Sequence, residues 1–519
     1  MAKVKNIVIV GGGSAGWMTA STIVKLIKDV NITVIESPNV PIVGVGESTV
    51  GGIRRWMRMV GITDKEFIKE TDASYKLAIK FNDFYQKGNT WHYPFGVPYL
   101  KENVFDRNDW FVKKALYPNT PEWDMTDCYY PQMALVNQNK ISTSVPLEHF
   151  NFLEDSAFHF DAAKFGVWLR DRICIPNGVN HIVSDVSNIQ TQDRKITFLE
   201  LANGDTITAD LFVDCTGFKS MLLGGALKEP FVSYENILPN NRAWAARIPY
   251  IDKEKELQSV TECTAIGHGW VWNIPLWSRV GTGYVYSDKH ITPEGALEEF
   301  KEYLKAKGHP TDNVEFRDIK MRVGRHENLW VNNVVAIGLS AAFIEPLEST
   351  GLVTVYEFAI NLCRILRRGS YSQWDIDEFT NASIDQFDYW AQFVSMHYAL
   401  SHRDDTAYWR DVTSRSYISQ TRELGRLQTQ NLYHQSIWKK QFDWTLPQDG
   451  NGMLCLTAGM NWYPTDEIII NGFDKNNIDN QVWMKTAINN LDQRKNSWSN
   501  AVKNEPSLQE FLYNNFYKN

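Results

Sequence analysis

The chain has 519 residues, of which 43% are hydrophobic and 22% are charged. This composition provides ample apolar material for a large packed core, so intrinsic disorder is excluded for the chain as a whole. The net charge of −8 is spread along the chain without a long block of one sign. That distribution disfavours nucleic acid and anionic membranes as partners, and it favours a small-molecule ligand.

The cysteines and histidines lack the spacings that mark disulfide frameworks or metal sites. The six cysteines lie far apart with no CxxC pair, which is typical of reduced thiols in a cytoplasmic protein. The eleven histidines show no HxxxH or HExxH spacing, so the sequence predicts no metal site. No apolar run approaches the ~18 residues expected of a membrane-spanning helix.

The N-terminal residues predict a strand, a helix and a second strand. Residues 4–10 form an apolar run of strand length, residues 14–28 have helical periodicity, and Asn31–Glu36 is again a strand. This order is typical of a βαβ unit in an α/β fold.

A glycine-rich loop joins the first strand to the helix. Gly11, Gly13 and Gly16 match the GxGxxG pattern, and Glu36 ends the second strand. Glycines allow the backbone to approach a pyrophosphate, the helix N-terminus stabilises its charge, and a carboxylate at this position can accept a ribose hydroxyl. The pattern therefore predicts dinucleotide binding, and by itself it fits FAD and NAD equally well.

Several later elements are predicted by their local patterns. Residues 195–215 predict two strands around Asn203-Gly204, a dipeptide typical of a type I′ hairpin with positive φ at both positions. Thr292 and Pro293 predict a helix start, and residues 351–368 predict a long helix that stops at Gly369.

Two late apolar segments bear on the cofactor. Residues 211–217 and 334–338 each predict a strand that closes on a glycine. Together with the glycine loop they favour the FAD-binding arrangement, in which late strands return to the dinucleotide sheet. From about residue 371 onward the pattern is mainly helical.

The segment EPLESTG at 345–351 leads into the long predicted helix, so amide groups near Thr350 and Gly351 are candidates for binding an anion. An ordinary helix cap by serine or threonine explains the same residues. Residues alone leave the two interpretations open.

Trp270 and Trp272 lie two apart in WVWNIP, so on a strand both rings face one side. They could line one side of a flavin or aromatic-substrate site, although paired aromatics on a strand usually belong to the core.

Lys76 and Lys80 flank apolar residues. A solvated lysine is the default, whereas a buried lysine would be a strong hydrogen-bond donor or a nucleophile.

Taken together, these segments resemble the flavin-dependent halogenases of the tryptophan halogenase family. The matching motifs run in order along most of the chain: GGGSAGW at 11–17, GVGEST at 44–49, ASYKLAIKF at 73–81, WVWNIP at 270–275, EPLESTG at 345–351 and HYALSHRDDTAYWR at 397–410. A WxWxIP motif in a chain that also has GxGxxG is specific, because flavin hydroxylases share the glycines but lack the paired tryptophans.

The resemblance implies an α/β fold with an FAD-binding, Rossmann-type module like that of flavin hydroxylases, with β-ribbon insertions and a mainly helical C-terminal substrate region. We expect residues 1–370 to form the FAD-binding halogenase core with inserted substrate-facing segments, and 371–519 to form the helical region. The implied activity uses reduced FAD, oxygen and chloride or bromide to halogenate an electron-rich aromatic substrate, with tryptophan or another indole as the leading expectation. The partners implied are that aromatic small molecule, a separate flavin reductase and, as a default, a second copy in a homodimer.

The resemblance also assigns roles to residues. Lys76 matches the lysine that holds hypohalous acid by a hydrogen bond or as a haloamine, and Glu348 matches the catalytic glutamate. Thr350 and Gly351 match the halide-binding backbone, and Trp270 and Trp272 match the pair thought to keep substrate away from the flavin. The flavin-binding residues implied are Gly11, Gly13, Ser14, Ala15, Gly16, Glu36, Glu47, Ser48, Val186, Leu339 and Leu352.

Two other functions are alternatives to a halogenase. A flavin monooxygenase would hydroxylate its aromatic substrate without halide and would not need Lys76. A noncatalytic flavin-binding protein would bind FAD without turnover.

Overall fold

The structure is a computed structural model that describes residues 2–40, 46–105, 108–414, 450–462 and 478–518. Gly44 and Val45 of the GVGEST motif lie outside these residues, as do 415–449 and 463–477 of the predicted helical region.

A six-stranded sheet is built around the first strand. Its strands in spatial order are Trp330–Val331, Val334–Ala336, Leu211–Asp214, Asn6–Val10, Asn31–Glu36 and Asn180–Val183. All neighbours are parallel except the outermost pair, Trp330–Val331 with Val334–Ala336. The predicted return of the two late strands to the dinucleotide sheet is therefore confirmed.

Helices cover this parallel sheet. Helix Ser14–Leu26 follows the glycine loop and contacts Ala162–Leu169 and Gly351–Leu366. The last of these ends where the sequence predicts, because Gly369 adopts φ 70 and its N–H bonds to Leu366 O at 2.9 Å.

A second sheet of seven strands carries the tryptophan pair. Its strands in spatial order are Phe316–Lys320, Arg242–Ile248, Val280–Tyr286, Gly269–Pro275, Val260–Ile266, Ala78–Asn82 and Thr90–Pro94. Neighbours are antiparallel except Val260–Ile266 with Ala78–Asn82. The helix predicted at Thr292 and Pro293 is present as Pro293–Ala306, and the Thr292 side chain accepts the Gly295 N–H.

The expected β-ribbon insertion is a three-stranded sheet of Val186–Gln192, Lys195–Leu201 and Thr206–Ile207. The prediction of a type I′ turn at Asn203-Gly204 is wrong. Gly204 has φ 87, whereas Asn203 is not in the left-handed region. Gly204 N donates to Leu201 O and Leu201 N to Asp205 O, which makes a three-residue loop in which only the glycine needs positive φ.

Three small sheets complete the strands. Glu47–Ser48 and Ser74–Lys76 lie on either side of Ala157–Phe160, which brings Ser48 and Lys76 together. The others are Phe231–Ser233 with Gly324–His326 and Ala342–Phe343, and Ala2–Lys3 with Ser370–Tyr371.

The described residues after Tyr371 are mainly helical, as predicted. Their α-helices are Gln373–Ala399, 407–414, Gly450–Gly459, Ile478–Ala501 and Leu508–Leu512, and Tyr513–Tyr517 is a short π-helix. Ion pairs of Lys113 with Asp492 and of Lys495 with Asp124 hold helix Ile478–Ala501 against the earlier part of the chain.

The earlier helices are Gly52–Val60, Asp64–Phe67, Asp109–Leu116, Asp124–Tyr129, Met133–Asn137, Phe152–Asp155 and Lys253–Glu256. None of the helices in the described ranges combines the length and the apolar character that crossing a membrane requires. All six cysteines are buried free thiols.

Candidate active site

The glycine loop is pressed against the end of strand Leu211–Asp214. Gly11 has φ 118, and a Cβ added to it would lie 2.2 Å from Cys215 O. A Cβ on Gly16 would lie 1.8 Å from Gly11 O. Both contacts are too close for any side chain, so the loop can adopt this path only with glycine at these positions.

The space in front of the first helix fits a dinucleotide pyrophosphate. No side chain caps the helix at Gly13, whose φ is −79, and a Cβ added there would meet nothing within 4 Å. The N-terminal amides of Ser14 and Ala15 therefore face an open, side-chain-free position, which suits a phosphate. The loop thus fits the FAD that the sequence implies.

Glu36 lies beside this loop. A Cβ on Gly12 would be 2.4 Å from Glu36 Cδ, so the carboxylate covers the second glycine. Glu36 Oε2 also lies 2.8 Å from His181 Nε2. Val186 lies at the same edge of the sheet, because Ser37, next to Glu36, donates to Asp185 at 2.5 Å.

Leu339 and Leu352 belong to segments that lie close to this loop. A Cβ on Gly338, the residue before Leu339, would lie 2.9 Å from Ala15 Cβ and 3.5 Å from Val355 Cγ2. Leu352 is in the first turn of the helix that contains Val355. The late turn at 338–340 thus sits between the two helix N-termini.

Lys76 is buried at the end of its strand, with a side chain that is 0% exposed. Its Nζ donates to Ser48 Oγ and to Ser349 Oγ, each at 2.8 Å. The ammonium also lies 5.1 Å from the ring centroid of Phe95. Two hydroxyls from distant segments therefore fix the position of this amine.

Burial lowers the pKa of Lys76 to about 7, against the opposing influence of Cys263 and Glu348. Lys80 is in a different environment, because its Nζ lies 3.5 Å from Glu262 and its side chain is 29% exposed. The structure thus distinguishes a fully buried lysine without a carboxylate partner from one in a partly exposed ion pair.

A line of hydroxyls connects Lys76 to a histidine. Ser48 Oγ lies 2.5 Å from Thr261 Oγ1, which lies 2.9 Å from His159 Nε2. Burial, together with the charge of Lys76, lowers the pKa of His159 well below its ordinary value. The imidazole is therefore neutral and orients these hydroxyls by hydrogen bonding.

Glu348 is nearly fully buried, at 4% exposure, in the turn Pro346–Glu348. Its Oε1 lies 2.8 Å from His397 Nε2. The next residues begin helix Gly351–Leu366, and no side chain caps this N-terminus. The Thr350 hydroxyl has no partner among the described residues. The arrangement favours the anion site over the side-chain cap, because Thr350 does not act as a cap.

Glu345, in the same motif, has a structural environment. Its Oε2 accepts hydrogen bonds from Trp270 Nε1 at 2.7 Å, Tyr398 OH at 2.6 Å and Asn240 Nδ2 at 2.9 Å. Burial raises the pKa of this carboxyl. Trp270 is thereby anchored, and the Trp272 ring follows at 6.2 Å between centroids, packed over Gly283.

Glu47 pairs with Phe160 in the small sheet that also contains Ser48. Burial raises the pKa of its carboxyl to about 7. Because Ser48 accepts the Lys76 hydrogen bond, the described part of the GVGEST segment contacts the lysine.

Comparison with known proteins identifies the family. The tryptophan halogenase family model matches residues 6–457. Tryptophan 6-halogenase ThaL of Streptomyces albogriseolus is 33% identical over 425 residues, 79% of this chain and 78% of its own. Tryptophan 7-halogenase RebH of Lentzea aerocolonigenes is 32% identical over 426 residues, with the same coverage of 79% and 78%. The apo structure of VirX1 superposes with a TM-score of 0.89 at 34% identity, covering 99% of both chains.

This chain belongs to the tryptophan halogenase family. It is an enzyme, a flavin-dependent halogenase that uses FAD with halide and oxygen as co-substrates. The predicted family, fold class, activity and cofactor are therefore confirmed. The alternatives of a hydroxylating monooxygenase and a noncatalytic flavin-binding protein are not favoured.

Several contacts of this halogenase site could not be predicted from the sequence. Ser349 and His397 lie inside quoted motifs, EPLESTG and HYALSHRDD, but had no assigned role. Thr261 carries no local signal, and His159 is part of no metal-site spacing. Only the folded chain shows that these four residues surround Lys76 and Glu348.

We expect Gly13→Ala to fold normally and to bind FAD at least about tenfold more weakly, a loss of ~1.4 kcal/mol. The backbone at Gly13 suits alanine, and the methyl group would enter the space assigned to the pyrophosphate. Circular dichroism and titration of flavin fluorescence measure the two properties.

Gly225→Ala is the matched control, because its Cβ would lie 3.4 Å from Ser220 O, away from the glycine loop. An unchanged FAD affinity in the Gly13 variant would contradict this placement of the pyrophosphate.

Proposed function

We propose that this halogenase acts on an electron-rich aromatic small molecule, with tryptophan or another indole as the expected substrate, and that Lys76 presents the halogen to it. The relatives ThaL and RebH are by name tryptophan 6- and 7-halogenases, which supports an indole. The observation that carries the proposal is the fully buried Lys76 amine, held by two hydroxyls beside Glu348.

Bound as reduced FAD, the cofactor supplies the oxygen activation that converts halide into hypohalous acid. The residues proposed to hold it are Gly11, Gly13, Ser14, Ala15, Gly16, Glu36, Glu47, Ser48, Val186, Leu339 and Leu352. The uncapped helix start at Thr350 and Gly351 is the proposed halide site, because its amides point at a position free of side-chain acceptors.

Lys76 acts on the hypohalous acid in one of two forms. As an ammonium it donates a hydrogen bond that polarises the bond between oxygen and halogen. As a neutral amine it takes the halogen, with release of water, to give a haloamine. A pKa of about 7 makes both forms accessible near neutral pH. In either form the side chain confines a reagent that would otherwise react indiscriminately.

Glu348 is the proposed acceptor of the ring proton after the halogen has added.

Trp270 and Trp272 are proposed to keep the substrate away from the flavin. The anchoring of Trp270 by Glu345 supports that role, since a fixed ring is a better barrier than a mobile one.

The enzyme acts on an aromatic substrate with a partner flavin reductase. We further propose a homodimer, a cytoplasmic location, and a division into an FAD-binding core at 1–370 and a helical substrate region at 371–519. The contact of His397 with Glu348 supports a role of the second region at the reaction centre.

Mass spectrometry tests the proposed function. The protein is incubated with FAD, a generic flavin reductase, NADH, oxygen and bromide, together with a panel of tryptophan, other indoles and phenols. A one-bromine isotope doublet on an indole is the expected result. Hydroxylated product without bromine would contradict the proposal.

Lys76→Met should reduce halogenation by about 10²–10³-fold, because it removes both the donor and the nucleophile. FAD binding and hydrogen peroxide formation should stay at parental levels, since neither needs the amine. Product mass spectrometry and a peroxide assay measure these effects.

Lys80→Met is the control for this variant, because it removes a lysine from the neighbouring strand without touching the buried site. Halogenation at the parental rate in Lys76→Met, or equal losses in both variants, would refute the assignment.

Glu348→Gln should slow halogenation by roughly 10²-fold or more, because an amide cannot accept the ring proton. Glu345→Gln should keep most of the activity, since an amide oxygen can accept from the same three donors. Steady-state rates with one panel substrate compare the two. Similar losses from both changes would remove the reason for choosing Glu348.

A further inference from the structure

His397 has one ring nitrogen whose protonation is fixed by the backbone. Its Nδ1 lies 3.2 Å from Phe393 O and 3.2 Å from Val394 O. Carbonyl oxygens only accept hydrogen bonds, so Nδ1 carries a hydrogen. In a neutral imidazole, Nε2 would then be an unprotonated acceptor.

That second nitrogen faces a carboxyl group. Nε2 lies 2.8 Å from Glu348 Oε1, and the two side chains are 0% and 4% exposed. The two atoms do not meet hydrogen-bond geometry, and neither has another hydrogen-bond partner in the described part of the chain. A neutral ring would bring two electron-rich atoms together in a dry site, which is unfavourable. The contact therefore requires a proton on the pair.

The surroundings favour the imidazolium form. The rings of Phe81 and Trp91 lie 5.0 and 5.6 Å from the imidazole centroid, and aromatic faces stabilise cations. The Glu345 carboxyl is close enough to interact with the His397 charge. Lys76 also interacts favourably with the Glu348 carboxylate. The remaining ionisable groups that Glu348 influences are the buried thiols Cys263 and Cys455.

We propose that His397 is the positioning residue for Glu348: as an imidazolium it keeps the carboxylate ionised and holds Oε1, leaving Oε2 to accept the ring proton. The inference rests on the proposed role of Glu348. Neither oxygen of Glu348 has an aligned donor in the described part of the chain, so Oε2 is available.

The bond between the halogenated ring carbon and its hydrogen breaks, its electron pair restores the aromatic ring, and the proton passes to Glu348 Oε2. The imidazolium keeps its proton throughout. Glu348 returns its proton to solvent after product leaves.

The protonation of His397 is measurable without turnover, by ¹⁵N NMR of histidine-labelled full-length protein with oxidised FAD. Its signals are assigned by their loss in His397→Gln. Both ring nitrogens should be protonated at neutral pH in the parent. In Glu348→Gln, which keeps the shape of the side chain and removes its charge, the signals of the doubly protonated ring should weaken at the same pH. A neutral His397 in the parent, or signals unchanged by Glu348→Gln, would overturn the proposal.

A second measurement uses a substrate deuterated at the halogenated carbon. In the parent, the positioned Glu348 should remove the ring proton faster than the halogen adds, so the isotope effect should be close to unity. In His397→Gln, which offers a neutral donor of similar reach, loss of the ring proton should limit the rate and a primary isotope effect should appear.

His402→Gln is the control, since His402 is exposed and only five positions further along. An isotope effect that stays at unity in the His397 variant would contradict the positioning role. A parent that gives no halogenated product would refute the proposed function instead, while the NMR result would still decide the protonation of the pair.

Discussion

The arrangement of the active site depends on the burial of the Lys76 amine. Lys76 is fully enclosed, and its hydrogen bonds go to two serine hydroxyls rather than to a carboxylate. Burying a charge in this way is costly, and the cost is reduced when the amine gives up its proton. The same environment that lowers the pKa of Lys76 makes the side chain suitable for handling an electrophilic halogen.

Several distant segments are needed to create that environment. Ser48 comes from the small sheet, Thr261 from the seven-stranded sheet and Ser349 from the start of helix Gly351–Leu366. That helix packs on Ser14–Leu26, whose own N-terminus begins at the glycine loop. The proposed cofactor and halide sites therefore belong to one packed frame, so their separation is set by helix packing.

Local sequence patterns predict the main strands and helices, but they do not predict the side-chain contacts of the active site. The βαβ opening, the glycine loop and the stop at Gly369 follow from rules that act over a few residues. The turn at Gly204 differs in type because both turn types accept the Asn-Gly pair. Ser48, Lys76, Thr261 and Ser349 meet across up to 301 positions of sequence, a pairing that periodicity does not encode. Likewise, EPLESTG contains two glutamates, and only their contacts distinguish the anchored Glu345 from Glu348 beside His397.

The most direct test of the account is the pKa of Lys76, measured by ¹³C NMR titration of lysine-labelled protein, with the signal assigned by its absence in Lys76→Met. We predict a titration at about 7, well below the ordinary lysine value, because the amine is buried without a carboxylate in contact. A titration near the ordinary lysine value of ~10.4 would contradict this prediction, since Lys76 would then be a permanent ammonium and the haloamine form would not be accessible at neutral pH.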